Sequence, residues 1–166
     1  MRILLAVDGS SCSDNAVAEV SSRPWPHGSE IKVVTAYEMP LPATPEGWAL
    51  PATYLDELDA AVKGQAQSVV QRAVAALKSN TAKSINVAGV CIPGSPRSVI
   101  LDEAKEWNAD LIVVGSHGYG AWGRFLLGSV SQSVVSHAKC SVEVVRCASA
   151  TRPEPSLIKK EVRQHG

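Results

Sequence analysis

The sequence predicts an α/β fold, a single-domain three-layer sandwich in which a parallel sheet is covered by helices on both faces. Three observations carry this. Five short runs rich in β-branched and aliphatic residues read as strands: Arg2 to Val7, Glu30 to Ala36, Ser84 to Val90, Leu111 to Val114 and Val142 to Arg146. Helical patterns separate them. The runs are near-continuously apolar rather than alternating, as strands buried on both faces are. With 166 residues, 45% of them hydrophobic, the chain has enough material for one good core. The domain is expected over residues 1–148, and residues 149–166 are expected to form a peripheral or disordered tail.

The elements follow in order. After the first strand, Ser10-Ser-Cys-Ser-Asp14 offers a cluster of N-cap residues to a helix that buries Ala16, Val17 and Val20, and Pro24 and Pro26 close that unit. The second helix carries Leu55, Leu58, Val62, Val69, Ala73 and Leu77 on one face and runs to about Lys78. The third opens at Gly94-Ser-Pro-Arg, with Ser95 as cap and Pro96 at the first helical position, and buries Val99, Ile100 and Ala104. The fourth starts near Ser129 and presents Val130, Val134 and Ala138. Two stretches resist the pattern. Met39 to Pro51 holds four prolines, which forbid a helix or a central strand, and its place after the second strand suits a lid beside the strand C-termini. The tail turns charged after Pro153 and Pro155, with little apolar surface to bury.

Composition removes several function classes. Sixteen basic residues balance sixteen acidic ones, without the basic excess that a nucleic-acid partner demands. No apolar run approaches the ~18 residues of a membrane span, and the N-terminal apolar run is too short for a signal peptide, so a cytoplasmic location is expected. The four cysteines, at 12, 91, 140 and 147, show neither a Cys-x-x-Cys pair nor zinc-finger spacing. They are expected to be reduced, mostly buried small hydrophobes, with Cys147 the one placed for exposure and redox sensitivity.

The most informative stretch is Asp110-Leu-Ile-Val-Val-Gly115-Ser-His-Gly118, continuing through Arg124 to Leu127-Gly128-Ser129: an apolar strand, a glycine-spaced loop, then a helix. That is the layout of a phosphate site. Glycines at 115, 118 and 128 let backbone N–H groups approach an anion, and Ser129 adds a hydroxyl where the helix N-terminus supplies partial positive charge. A Walker loop is excluded because no lysine lies between Asp110 and Ser136. Gly118-Tyr-Gly120-Ala-Trp-Gly123 matches the dinucleotide pattern, but only one strand follows it and Glu143 falls inside that strand rather than at its end.

Gly115-x2-Gly118-x9-Gly128-Ser129, taken with Asp8 directly after the first strand, resembles the universal stress protein family, in the branch whose members bind ATP. The resemblance extends over the start to Asp8-Gly-Ser, Ala36-Tyr37, Gly94-Ser-Pro, Asp110 to Gly118, and Leu127-Gly-Ser-Val-Ser131. It implies a Rossmann-like sheet of the adenine nucleotide alpha hydrolase-like kind, with five parallel strands in the order 3-2-1-4-5, and a crevice between the ends of strands one and four. By position it implies that Ala6, Val7 and Asp8 edge the site, with Asp8 facing the nucleoside, and that Ala36 meets the adenine. Val114, Gly115, Ser116, His117 and Gly118 would line the ribose and first phosphates. Gly128, Ser129, Val130 and Ser131 would hold the outer ones. The ligand implied is ATP, with AMP or ADP as alternatives, accompanied by Mg²⁺ or Mn²⁺ through the phosphates. It also implies a homodimer through the last strand.

Each residue has a plainer reading beside this one. Asp8 is also suited to cap the first helix, Gly115 and Gly118 to make ordinary turns, and Ser129 to be an N-cap. His117 is placed for packing or solvent as well as for chemistry, and Arg124 for the surface as well as for a phosphate. No catalytic apparatus accompanies the loop, so an ATP-binding regulatory module of stress response is the leading expectation. A slow ATPase or adenylate-handling enzyme is the alternative, and an assembly protein with an empty crevice the third.

Overall fold

A computed structural model describes residues 1–39, 52–81, 84–118 and 127–147. Its elements run β1 (Arg2–Ala6), α1 (Ser11–Ser22), β2 (Glu30–Tyr37), α2 (Ala52–Asn80), β3 (Asn86–Pro93), α3 (Pro96–Glu106), β4 (Leu111–Gly115), α4 (Ser129–His137) and β5 (Ser141–Val145). The sheet has five strands in the order β3-β2-β1-β4-β5, every pair parallel, as expected. The Pro-rich stretch from Pro40 to Pro51 and the tail from residue 148 lie outside the described residues.

The near-continuous apolar runs have a direct cause. Successive side chains of a strand point to opposite faces, and both faces here are covered. On one face Ile3, Leu5, Ile31, Val33, Leu111 and Val113 meet Ala16, Val17 and Val20 of α1 and Val69, Ala73 and Leu77 of α2. On the other, Leu4, Val34, Ile112 and Val114 meet Val99, Ile100 and Ala104 of α3 and Val134 of α4. The one charge inside a central run is Lys32, and it is accommodated by reaching α3. Its Nζ donates to Glu103 Oε1 at 2.6 Å and lies 4.5 Å from the Trp107 ring centre.

The starts of α1 and α3 obey the caps read from the sequence, whereas at α4 the N-cap is Gly128 rather than Ser129. Ser10 Oγ accepts from Ser13 N at 3.3 Å to open α1, and Ser95 Oγ accepts from Ser98 N at 3.4 Å, with Pro96 following, to open α3. Three other expectations shift. The third strand runs on past Val90 to Pro93, because β2 offers pairing partners as far as Tyr37 and proline is tolerated at the end of an edge strand. The second helix buries Val69, Ala73 and Leu77 but leaves Leu55, Leu58 and Val62 only half-buried. At 29 residues it is roughly 43 Å long, far more than the eight-residue strands beneath it can cover.

The third correction concerns the cysteines. Cys91 and Cys140 are free and half-buried, but Cys12, at the start of α1, and Cys147, two residues beyond β5, form a disulfide. Their separation of 135 residues hides the pairing from any local reading, since only the sheet order brings β5 beside β4 and under α1.

Candidate functional site

β1 sits between β2 and β4, and the connection from β1 leaves by α1 on one face of the sheet while β4 is entered from α3 on the other. A crevice therefore opens at the carboxyl ends of β1 and β4. The cavity there has a volume of about 450 Å³. It gathers Ala6, Val7 and Asp8 from the end of β1, Ala36 from β2, and Val114, Gly115, His117 and Gly118 from β4 and its loop. Gly128, Ser129, Val130 and Ser131 at the start of α4 complete it. Twelve of the residues expected from the sequence thus share one cavity. Arg124 lies outside the described residues.

The three loop glycines are required for close approach, not for an unusual backbone. Positive φ among the described glycines occurs at Gly9, Gly28 and Gly94. At Gly115 an added Cβ would lie 2.8 Å from the carbonyl carbon of Cys12. At Gly118 it would lie 2.6 Å from Asp8 Oδ2, and at Gly128 3.1 Å from the Ser116 carbonyl oxygen. Such contacts are shorter than real Cβ atoms accept at the first two positions, so β4, the loop and α1 close together only because side chains are missing there.

Asp8 lines the cavity and also braces the turn before α1. Its Oδ1 accepts from Ser10 N at 2.9 Å, fixing the turn into α1, while its other oxygen faces Gly118. Ser10, not Asp8, caps the helix. Ser116 departs from expectation: it is buried and does not line the cavity. Its N–H donates to the Val145 carbonyl at 2.7 Å, and its hydroxyl lies 3.1 Å from His117 Nδ1 and donates to Cys12 Sγ at 3.9 Å. These bonds tie the loop to β5 and α1 instead. His117 Nε2 is buried with no hydrogen-bond partner among the described residues.

The start of α4 is built differently from those of α1 and α3. Gly128 is its N-cap and supplies no side-chain bond to the exposed N–H groups of the first turn. The turn is nevertheless held in place. Gly128 N donates to the Ser116 carbonyl at 2.8 Å, and Ser131 Oγ donates to the Gly115 carbonyl at 2.6 Å. The arrangement offers fixed donors and the positive end of a helix to an anion. The same cavity is lined by the apolar Val34, Ala36, Pro96 and Ile100.

Sequence reasoning missed Ser13, Val34, Pro96 and Ile100 as lining residues. Val34 was within reach, being two residues before Ala36 and so on the same face of β2. Pro96 and Ile100, four apart on α3, share a helix face that the sheet order alone turns toward the crevice. Among the described residues no cluster of three His, Cys, Asp or Glu is placed to hold a metal ion, and no helix is long and apolar enough to cross a membrane.

A family model described as the universal stress protein family matches residues 1–146. A universal stress protein encoded beside a QAH/OAS sulfhydrylase in Thermus aquaticus is 35% identical over 150 residues, covering 87% of this chain and 97% of that protein. Among solved structures, the universal stress protein UspA from Lactobacillus plantarum is 26% identical with a TM-score of 0.69, over 88% of this chain and 97% of its own. A universal stress protein family protein from Arabidopsis thaliana, solved with AMP bound, shares the fold at 18% identity and a TM-score of 0.66, over 93% of this chain and 97% of its own.

Proposed function

The chain belongs to the universal stress protein family, and on that premise we propose that it is a cytoplasmic, ATP-binding regulatory module of stress response. The observation that carries this reading is the crevice at the ends of β1 and β4, whose lining joins apolar residues to a helix N-terminus left open by its glycine cap. The wall of Val34, Ala36, Pro96 and Ile100 suits the adenine, and Asp8 suits the ribose hydroxyls. Val114, Gly115, His117 and Gly118 would pass along the ribose and first phosphate. Gly128, Ser129, Val130 and Ser131 would receive the outer phosphates. The AMP held by the Arabidopsis protein of the same fold supports an adenine nucleotide, and AMP or ADP would fit the same inner half.

No lysine or arginine lines the described cavity, so a triphosphate there needs Mg²⁺ or Mn²⁺ carried through its own oxygens. Asp8 is the carboxylate at hand on the protein side. Turnover is a separate matter. Hydrolysis needs an oriented water and charge neutralisation beyond the metal. Asp8 and His117 are the titratable groups lining the described cavity; Asp8 is bonded to Ser10 N through one oxygen, and His117 lies against the Ser116 hydroxyl through Nδ1. Phosphate release is expected far below ~10 s⁻¹, the enzyme median. Mass spectrometry of small molecules released from the purified, denatured protein tests the ligand class: an adenine nucleotide is expected, and a stoichiometric ligand of another class contradicts the reading. ATP hydrolysis at ordinary enzyme rates, lost in His117→Ala, would promote the enzymatic alternative.

The same reading includes a homodimer through β5, which the sheet order leaves at an edge. Its valines are partly taken up by the subunit's own core. Val142 and Val144 pack partly against the α3/α4 side of the core, Val145 against the other, and Glu143 is held by Arg23 at 2.6 Å. Bonds to Glu143, then to Glu19, push the Arg23 guanidinium up from its ordinary value, so that pair closes the α1 side of the edge. What remains is backbone. Because the Val145 carbonyl accepts from Ser116 N on the β4 side, the N–H and C=O of Val144 point the opposite way, toward the free edge. Val144→Pro therefore removes an outward donor and spares the β4 ladder. Sedimentation is expected to shift toward monomer with the melting temperature little changed. A wild-type monomer at tens of micromolar, or a dimer indifferent to the change, contradicts the interface.

A further inference from the structure

We propose that the Cys12–Cys147 disulfide is a thiol-exchange site for a low-molecular-weight thiol and that its redox state sets the affinity of the adjoining crevice. The coupling half of this rests on the nucleotide reading given above. The pair lies with Cα atoms 4.6 Å apart, a separation that disulfides ordinarily adopt.

Its two sulfurs are unequal. Cys12 is 3% exposed, whereas Cys147 is only half-buried, so an incoming thiolate meets the Cys147 sulfur first. The sulfur that then departs is well supported. Cys12 is the second residue of α1, where the helix N-terminus favours a thiolate, and Ser116 Oγ donates to its Sγ at 3.9 Å. A stabilised leaving thiolate makes exchange fast. The other two thiols are unsuited to compete. Burial pushes Cys91 and Cys140 up from their ordinary value, which disfavours the reactive thiolate.

The chemistry balances with thiol and disulfide alone. A thiolate RS⁻ attacks Cys147 Sγ, the Sγ–Sγ bond breaks, and Cys12 leaves as a thiolate that takes up a proton. A second RS⁻ attacks the R-bearing sulfur of the mixed disulfide, freeing the Cys147 thiolate, which is protonated in turn. Two RSH become one RSSR, and the protein gains two electrons and two protons. Oxidation by RSSR is the reverse. In a reducing compartment the disulfides that do form are mostly catalytic or redox-sensing, which suits a bond of this kind.

The link to the crevice is steric. The Cys12 backbone is the surface on which Gly115 rests, and the next residue, Ser13, lines the cavity. On the other side, Val145 accepts from Ser116 N, and Asn15 Nδ2 donates to the Arg146 carbonyl at 3.5 Å. The disulfide thus closes a ring of α1, the β4 loop and the end of β5 around Gly115 and Ser116. Reduction opens that ring at one point and, among the described residues, leaves the Cys147 sulfur with a contact to Ser11 Oγ at 3.9 Å. The oxidised form is accordingly the one whose crevice is pre-organised.

The test is a titration of the full chain with ATP and Mg²⁺ after equilibration with glutathione disulfide or with dithiothreitol, alongside a non-reducing peptide map. The map is expected to join the Cys12 and Cys147 peptides only in the oxidised sample. The oxidised protein is expected to bind ATP at least about fivefold more tightly than the reduced one, within the ordinary range of coupling between sites. Cys147→Ser should bind like the reduced protein and ignore both reagents, while Cys91→Ser/Cys140→Ser should keep the full response. Cys147→Ala serves as a second variant if the first is poorly folded. Free thiols at both positions under glutathione disulfide overturn the exchange site. Equal ATP affinity in the two states overturns the coupling while leaving the nucleotide reading intact. A lack of ATP binding in both states removes the nucleotide reading and the coupling together.

Discussion

Gly118→Val is expected to abolish ATP binding while leaving the fold standing. The new Cβ would fall 2.6 Å from Asp8 Oδ2, so either the carboxylate swings away from its bond to Ser10 N or the loop retreats. Either response moves a cavity wall, and the rest of the valine side chain adds bulk beside the proposed phosphate path. Each ~1.4 kcal/mol lost from the bound state is tenfold in affinity, so a displaced wall and a crowded phosphate path weaken binding steeply. Gly118 lies on an exposed loop, so the melting temperature should change little. Calorimetry and a thermal melt on the same samples check both halves. Wild-type affinity in this variant would mean the loop is not the site.

Gly115→Val is expected to damage the fold as well. Here the added Cβ would meet the carbonyl carbon of Cys12 at 2.8 Å and its Cβ and carbonyl oxygen at 3.0 Å, backbone that is fixed by the first turn of α1. No flexible side chain can move aside. The helix or β4 must shift, and about 1–3 kcal/mol of overpacking corresponds to a fall of roughly 2–12 °C in melting temperature for a chain of this size. Nucleotide affinity should fall with it, since Gly115 and Ser13 both line the cavity. A melt indistinguishable from wild type would contradict the close contact between β4 and α1.

The contrast between these two positions shows what a sequence can carry. The glycine spacing picks out a loop that the fold brings to the crevice, but it leaves open whether the residues are needed for a left-handed backbone or for close approach. The answer, close approach to Cys12, to Asp8 and to the loop's own backbone, depends on what the fold brings across from elsewhere in the chain. Strands and helix caps were legible because their causes are local: apolar runs buried on two faces, and Ser10 and Ser95 bonding N–H groups three residues on. The order of the strands came from the family resemblance, and everything that depends on that order came with it.

Features built from distant pieces were not legible. Pro96 and Ile100 enter the crevice because α3 covers one sheet face and its N-terminal half borders the cavity, and Ser116 turns away from the crevice because β5 and α1 hold it. The pairing of Cys12 with Cys147 joins the second residue of one helix to a position just past the last strand. No spacing rule connects them. Arg124, the one cation that the sequence places in the loop, falls among residues 119–126, outside those described.

The central claim is that the crevice between the ends of β1 and β4 binds an adenine nucleotide through the glycine loop and the start of α4. Isothermal calorimetry of the oxidised protein with ATP and Mg²⁺, repeated with AMP already present and repeated on Gly118→Val, tests it most directly. The account predicts one ATP per chain, competition by AMP for the same site, and loss of the heat signal in the variant. Absence of binding at millimolar ATP, or binding that survives Gly118→Val undiminished, would contradict it.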